Sequence, residues 1–217
     1  GNALIMILLA VALIGALTAA LHSSGKRGAN IDKETLILRV TQIQSYATEL
    51  ENGIGFLMQN QISESDIRFA HPDANNDYGD LTADTDKTDQ MFHRDGGNAT
   101  YQIPPKGIND GSTWEFYGNT ALPEVGSDQA DLIALLPNVT SGFCDQINAR
   151  VGYSSRPTDS ATCINTGASV RFNGSNQFAS SPNTADSASF SIKPALQGCV
   201  QCTGDRSLHY FRVLMAR

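Results

Sequence analysis

The chain has 217 residues, of which 41% are hydrophobic and 17% charged, and its formal net charge at pH 7 is −7. An acidic chain argues against nucleic acid as the main partner, because phosphate backbones are bound by basic surfaces. Without its first 21 residues or so, the chain is still long enough for one domain with a hydrophobic core.

The first predicted element is an apolar helix at residues 3–21. This stretch carries no charge, and every Lys, Arg, Asp and Glu of the chain lies at or beyond Lys26. At 1.5 Å per residue the helix would be roughly 28 Å long, close to the thickness of the hydrocarbon core of a bilayer. The chain begins with Gly1 and no basic flank precedes the stretch. We therefore expect that a short basic leader is cleaved ahead of a helix that stays in the mature protein.

Small side chains along the same stretch favour close packing of one copy of the helix against another. The alternative is a lone membrane anchor. The next residues, "GKRGAN" at 25–30, predict a soft joint, because glycine weakens a helix. We expect the helix to break or unwind locally at Gly15, Gly25 and Gly28.

A long amphipathic helix is predicted from about residue 31 to residue 61. Asn30 or Asp32 is a suitable N-cap. Apolar residues then recur at steps of three and four, which places them on one face of a helix that should pack on the rest of the domain. These residues are Leu36, Val40, Ile43, Ala47, Leu50, Ile54 and Leu57.

The remaining residues, 63–217, predict a globular head that is rich in β-strands. Turn-forming residues separate short segments, and alternating apolar residues close the chain in a strand that should be buried in the sheet. In chain order the segments are an acidic loop at 71–89, two strands about the Gly96–Gly97 turn in 91–105, a strand at 112–119, a helical or mixed segment at 127–152 interrupted at Pro137, loops with short strands at 153–189 and the final strand at 207–217.

Four cysteines lie in the last third of the chain, at Cys144, Cys163, Cys199 and Cys202. An even number in a chain that looks exported predicts two disulfides, for which three pairings are possible. A bond between the two cysteines of "CVQC" would close a tight ring, and disulfides of this kind are typically redox-labile. A redox-active cysteine pair is therefore an alternative. For a structural role we prefer Cys144–Cys199 with Cys163–Cys202.

One motif suggests a metal ion. Asp73, Asn75, Asp77 and Asp80 in "DANNDYGD" nearly follow the pattern of a calcium loop, although the glycine comes one place late and no glutamate closes the loop. A solvated acidic loop is the alternative. The four histidines, His22, His71, His93 and His209, show no ligand spacing, so we expect structural or solvated roles for them. P-loop, nucleophile-elbow and zinc motifs are missing from the sequence, so we expect neither catalysis nor a cofactor other than calcium.

The stretch "GNALIMILLAVALIGALTAAL", followed by an amphipathic helix, a small sheet and a C-terminal disulfide region, resembles the type IV pilins and pseudopilins. "FHRDGG", "TYQIPP", "WEFYGN", "DLIALLPNV" and "HYFRVLMAR" are also similar to segments of pilin-like proteins of Gram-negative bacteria. The resemblance implies an α+β fold in which a long N-terminal helix packs on a C-terminal antiparallel sheet. It implies three parts: a filament-core or transmembrane helix at 1–25, its amphipathic continuation at 26–62 and a β-rich head at 63–217.

The resemblance also implies a function, that of the structural subunit (major pilin) of an extracellular type IV pilus-like filament. The subunit would be processed by a prepilin peptidase, wait in the inner membrane and polymerise with copies of itself with the help of a pilus assembly machinery. The alternatives are a pseudopilin of a type II-like secretion system and a single-pass, membrane-anchored extracytoplasmic binding domain. The residues expected to pack in the filament are Leu4, Ile5, Ile7, Leu8, Val11, Ile14, Leu17 and Leu21.

The chain departs from the usual pilin pattern at its first and fifth positions. Many type IV pilins begin with a methylated phenylalanine and carry a glutamate at position five, which neutralises the terminal amine of a neighbouring subunit. Here the residues are Gly1 and Ile5. The resemblance therefore implies that apolar packing alone sets the register between subunits.

Overall fold

The computed structural model describes residues 26–160 and 163–217, with side chains from Asp32 onward except that of Asn165. Two helices and six strands make up its regular structure. Within these residues no helix is both long enough and apolar enough to cross a membrane. The elements are α1 (Lys26–Gln59), β1 (Glu115–Ala121), β2 (Asp131–Leu136), α2 (Ser141–Val151), β3 (Thr158–Asp159), β4 (Asn183–Thr184), β5 (Gln197–Cys202) and β6 (Leu208–Met215).

Helix α1 is longer at its start than the pattern of apolar residues predicts. It runs without interruption through Gly28, so the predicted break at that residue is wrong. A single glycine costs about 1 kcal/mol relative to alanine in a helix interior, which the hydrogen bonds on either side can offset. The chain divides into two units between Leu38 and Arg39, so the second half of α1 belongs to the head.

The apolar face predicted for α1 is buried from Val40 onward. Six of the seven stripe residues have at most 2% of their surface exposed, and Leu36 is half-buried. The ring of Tyr46 on α1 meets that of Trp114 edge to face, with the ring centroids 5.4 Å apart. The six buried residues are Val40, Ile43, Ala47, Leu50, Ile54 and Leu57.

Leu50→Ala tests how strongly this face holds the head together. Leu50 is fully buried, so the substitution leaves a cavity and should lower the free energy of unfolding by about 2–5 kcal/mol. The matched control is Leu196→Ala, because Leu196 is 46% exposed and its truncation should cost much less. Urea denaturation of both variants measures the difference, and equal losses would contradict the buried position of Leu50.

The six strands form one mixed sheet in the order β3-β5-β6-β2-β1-β4. The central pairs, β5 with β6, β6 with β2 and β2 with β1, are antiparallel. The edge strands β3 and β4 are each two residues long and pair in parallel with β5 and β1. The predicted antiparallel, pilin-like sheet is therefore wrong, because short strands from the long loop region pair in parallel at both edges.

Both faces of this sheet are covered, so all six residues of β2 are buried. One face, with Trp114 and Tyr210, packs on α1 and α2, as the ring contacts Tyr46–Trp114 and Phe143–Tyr210 indicate. The other face carries Ile133, Leu135 and Phe211 and is covered by loop residues from the 153–195 region. The long serine- and asparagine-rich loops are thus a structural layer of the head.

The two strands predicted about Gly96–Gly97 are also not formed, because residues 91–105 are turns and irregular segments in the structure. The glycines serve close packing instead of a hairpin. A Cβ atom on Gly96 would lie 2.1 Å from the carbonyl oxygen of Gln90, and one on Gly97 would lie 2.7 Å from that of Met91. Substitution of either glycine would displace the backbone of this loop.

Asp131, at the start of β2, is a buried carboxylate inside the head. Its Oδ2 accepts a hydrogen bond from the Leu122 amide at 2.9 Å, and its Oδ1 accepts one from the Arg217 amide at 3.2 Å. Burial raises the pKa of Asp131 to about 6. The folded carboxyl therefore holds its proton more tightly than the unfolded one.

The raised pKa predicts a pH effect with a definite sign. The wild type should lose stability relative to Asp131→Asn as the pH rises from about 4 to about 6, because ionisation is penalised in the folded state. The difference in free energy of unfolding should change by on the order of 3 kcal/mol, since one pKa unit is worth about 1.4 kcal/mol. Denaturation across this pH range measures it, with the exposed Asp128→Asn as control. A difference that does not vary with pH would contradict the prediction.

Candidate functional site

The predicted assembly segment lies outside the described residues. This applies to all eight of its predicted contact residues and to the expected breaks at Gly15 and Gly25. The structure describes α1, which follows this segment in the sequence. It also describes the head, which includes the second half of α1. The eight residues are Leu4, Ile5, Ile7, Leu8, Val11, Ile14, Leu17 and Leu21.

The two disulfides join Cys144 to Cys199 and Cys163 to Cys202, which is the pairing preferred above. The strand explains why "CVQC" does not close on itself. Residues three apart on a strand point to opposite faces of the sheet, so Cys199 and Cys202 point away from each other. One disulfide therefore fastens α2 to β5 on the helical face of the sheet, and the other fastens the loop at Cys163 to β5 on the opposite face.

The predicted calcium residues do not come together as a ligand set. Asp77 and Asp80 line the same cleft of about 300 Å³, whereas Asp73 and Asn75 are not among the residues lining it. Asn75 caps the short turn at 76–78 by accepting a hydrogen bond from the Asp77 amide. Asp80 accepts hydrogen bonds from the amide and hydroxyl of Thr82, which lowers the pKa of its carboxyl.

The carboxylate of Asp77 is engaged by Arg171 rather than directed at a cation. The Arg171 guanidinium lies 2.6 Å from Asp77 Oδ2 and also pairs with Glu115 on β1. Arg171 and Glu115 each have 14% of their side-chain surface exposed, so this pair is more shielded from solvent than a surface ion pair. The network fastens the acidic loop and the loop at 171 to the edge of the sheet.

Among the described residues, one group of three possible metal ligands lies within 4.8 Å, and it was not predicted. It consists of Cys163, Cys202 and His209, and the two sulfur atoms are bonded to each other. His209 is buried in β6, with 6% of its surface exposed. His71 and His93 are half-exposed and accept hydrogen bonds from nearby backbone amides, as expected of solvated histidines.

The sequence contained a signal for the surroundings of His209. Asp205, Ser207 and His209 occupy alternate positions in the sequence, with Asp205 in the turn before β6 and Ser207 directly ahead of the strand, so polar side chains can be expected near the imidazole. In the structure Ser207 Oγ lies 2.7 Å from Asp205 Oδ1 and 2.8 Å from His209 Nε2. Sequence spacing alone did not show that the Cys163–Cys202 disulfide lies beside this chain of hydrogen bonds.

Two exposed apolar side chains lie on α1, one on each side of its buried face. Phe56 is 45% exposed and Met58 is 40% exposed, although both lie near the end of a helix whose other face is buried. A shallow cleft of about 410 Å³ lies beside Phe56, between α1 and the glycine-rich loop at 97–99. This surface of the helix is open to contact with another molecule.

The described residues thus include a head with a mixed sheet covered on both faces and two disulfides, and the helix α1, which follows an uncharged segment in the sequence. Comparison of the chain with protein-family models, with curated proteins and with solved structures finds no match.

Proposed function

We propose that the chain is the structural subunit of an extracellular filament of the type IV pilus kind, which polymerises through residues 3–21. One observation carries the proposal: an uncharged segment of 19 residues is followed closely in the sequence by α1. The apolar face of the second half of α1 is buried in the head. In this proposal, packing of the apolar segments of neighbouring copies brings their heads together. The partners are then copies of the same chain.

The physical driving force is the burial of apolar side chains. Burying a leucine or isoleucine side chain is worth about 1.5–3 kcal/mol relative to water. A segment of this composition that leaves the lipid of the inner membrane must therefore find apolar neighbours, and other copies supply them. The prepilin peptidase and a pilus assembly machinery are the further partners of this proposal.

Two features of the head support the proposal. Disulfides persist in oxidising compartments, and both disulfides join distant parts of the head. Exposed Phe56 and Met58 lie on α1, the element that would approach neighbouring subunits once residues 3–21 are packed together.

The proposal is tested by shearing cells and examining the released material by electron microscopy, with mass spectrometry to identify the chain. We expect filaments that contain this chain as the main component. If the chain is found only in membranes, the proposal is wrong and the single-pass, membrane-anchored domain is favoured. Short assemblies that stay with the cell envelope would favour a pseudopilin of a secretion system.

A further inference from the structure

The Cys163–Cys202 disulfide lies at one end of the sheet, where β5 ends and β6 begins. Both cysteines line a cleft of about 390 Å³, and so do Asp205, Ser207 and His209. Polar residues from three other segments, Asn138, Ser160 and Thr166, complete its wall. A small molecule or ion that enters this cleft therefore meets a disulfide, an imidazole and several oxygen atoms.

The hydrogen bonds define which nitrogen of His209 carries the proton. The Asp205 carboxyl has a pKa lowered by the hydrogen bond from Ser207, so it is ionised and can only accept. Ser207 uses its single hydroxyl proton for Asp205 Oδ1, and its oxygen must therefore accept from His209 Nε2. Nε2 is the protonated nitrogen, and Nδ1 carries the lone pair.

The lone pair on Nδ1 is buried and unused. Among the described residues, none donates a hydrogen bond to this atom. With its proton on Nε2 and a lone pair on Nδ1, the imidazole is in its neutral form. A neutral imidazole with a hydrogen-bonded second nitrogen is the usual form of a metal-binding histidine.

We propose that reduction of the Cys163–Cys202 disulfide converts this cleft into a binding site for a thiophilic divalent cation such as Zn²⁺. The ligands are the sulfur atoms of Cys163 and Cys202 and Nδ1 of His209. One imidazole nitrogen and the two sulfurs already lie within 4.8 Å of one another. Tetrahedral coordination leaves a fourth position, which a water molecule can occupy.

The conversion balances with a dithiol as the reductant. The dithiol gives two electrons and two protons to the S–S bond and becomes a disulfide itself, while Cys163 and Cys202 become thiols. Binding of the cation then releases the two thiol protons, because thiolates are the ligands. His209 donates the lone pair of Nδ1 and releases no proton.

The backbone keeps both cysteines in place after the S–S bond opens. Cys202 is in β5, where its amide donates to the Ser207 carbonyl at 3.0 Å. The loop at Cys163 is held through Ile164, whose amide donates to Asp159 Oδ2 and whose carbonyl accepts from Thr120 Oγ1. The two sulfur atoms therefore stay close enough to bind one ion.

The other disulfide does not offer this chemistry. Cys144 on α2 and Cys199 on β5 are fully buried, and within the described part of the chain no His, Asp or Glu forms a three-ligand group with them. Reduction there gives two thiols without a third ligand. The inferred site is thus specific to the face of the sheet that carries His209.

The test uses the full chain in detergent micelles, reduced with dithiothreitol, freed of the reductant under nitrogen and titrated with Co²⁺. The absorption bands of tetrahedral cobalt thiolate should appear in the reduced chain and reach their maximum at one Co²⁺ per chain. They should be absent from the oxidised chain, and added Zn²⁺ should remove them from the reduced chain. His209→Ala should abolish the bands, while His71→Ala, a matched control at a half-exposed histidine, should keep them.

Two further variants separate the site from general effects of reduction. The double variant Cys144→Ala/Cys199→Ala should keep the cobalt bands, since it leaves the three ligands in place. Ser207→Ala should weaken Co²⁺ binding by roughly 10–100-fold, as expected when the group that orients a histidine ligand is lost. Circular dichroism follows folding in each sample. The proposal is overturned if the reduced wild type unfolds or if it stays folded without cobalt bands. It is also overturned if the reduced His209→Ala variant binds Co²⁺ as well as the reduced wild type does.

Discussion

Ala16→Asp is expected to leave cells without filaments. An aspartate near the middle of an apolar helix costs about 2.5–3.5 kcal/mol on membrane-insertion scales, and more when it is buried without a partner. In a filament built from packed copies of residues 3–21, every subunit would carry this cost. Electron microscopy of sheared material, together with an immunoblot of the cells to show that the chain is made, measures the effect.

Two controls make the result specific. Ala149→Asp places the same substitution at an exposed position on α2, where we expect filaments to form as in the wild type. Ala16→Ser keeps the side chain small and adds no charge, so it should keep filaments. If Ala16→Asp cells assemble filaments at the wild-type level, residues 3–21 do not form their core.

The second large effect is expected from removal of the Cys144–Cys199 disulfide by the double variant Cys144→Ala/Cys199→Ala. This bond closes a loop of 55 residues between α2 and β5. Loop-closure entropy for that length is worth roughly 4 kcal/mol, which corresponds to a fall in Tm of roughly 8–16 °C for a chain of this size. Thermal unfolding of the full chain in detergent measures it.

The second disulfide provides the comparison. Cys163–Cys202 closes a loop of 39 residues, for which the entropy term is only slightly smaller. Cys163→Ala/Cys202→Ala should therefore lower Tm by a similar amount. A fall of less than about 2 °C in the Cys144/Cys199 variant would contradict a structural role for that disulfide.

Two elements of the head followed directly from the spacing of apolar residues. The stripe on α1 was predictable because a helix needs one continuous apolar face, and the residues from Val40 to Leu57 provide it. The final strand was predictable because alternating Phe211, Val213 and Met215 do not fit a helix. Each pattern is local and long enough to specify its own conformation.

The sheet edges and the glycine loop were not predictable by the same reasoning. Strands β3 and β4 are two residues long, too short for any alternation to be visible, and their parallel pairing depends on where distant loops return. Gly96 and Gly97 resemble a hairpin turn in sequence, but in the structure they pack closely against the backbone of residues 87–91 in the same loop.

The candidate sites differ in the same way. The acidic loop showed calcium-like spacing, yet Arg171, 94 residues further along the chain, takes the carboxylate of Asp77. His209 showed no ligand spacing, yet the sheet and a disulfide bring it beside Cys163 and Cys202. Both outcomes depend on contacts between distant residues, which a motif confined to a short stretch does not contain.

The central claim is that residues 3–21 of many copies form the core of a filament. Cryo-electron microscopy of filaments sheared from cells tests it most directly, at a resolution that shows side chains. The account predicts a central bundle of helices in which the side chains of residues 3–21 can be assigned, with the disulfide-bonded heads outside. A filament whose core consists of contacts between heads, or of another protein, would contradict the claim.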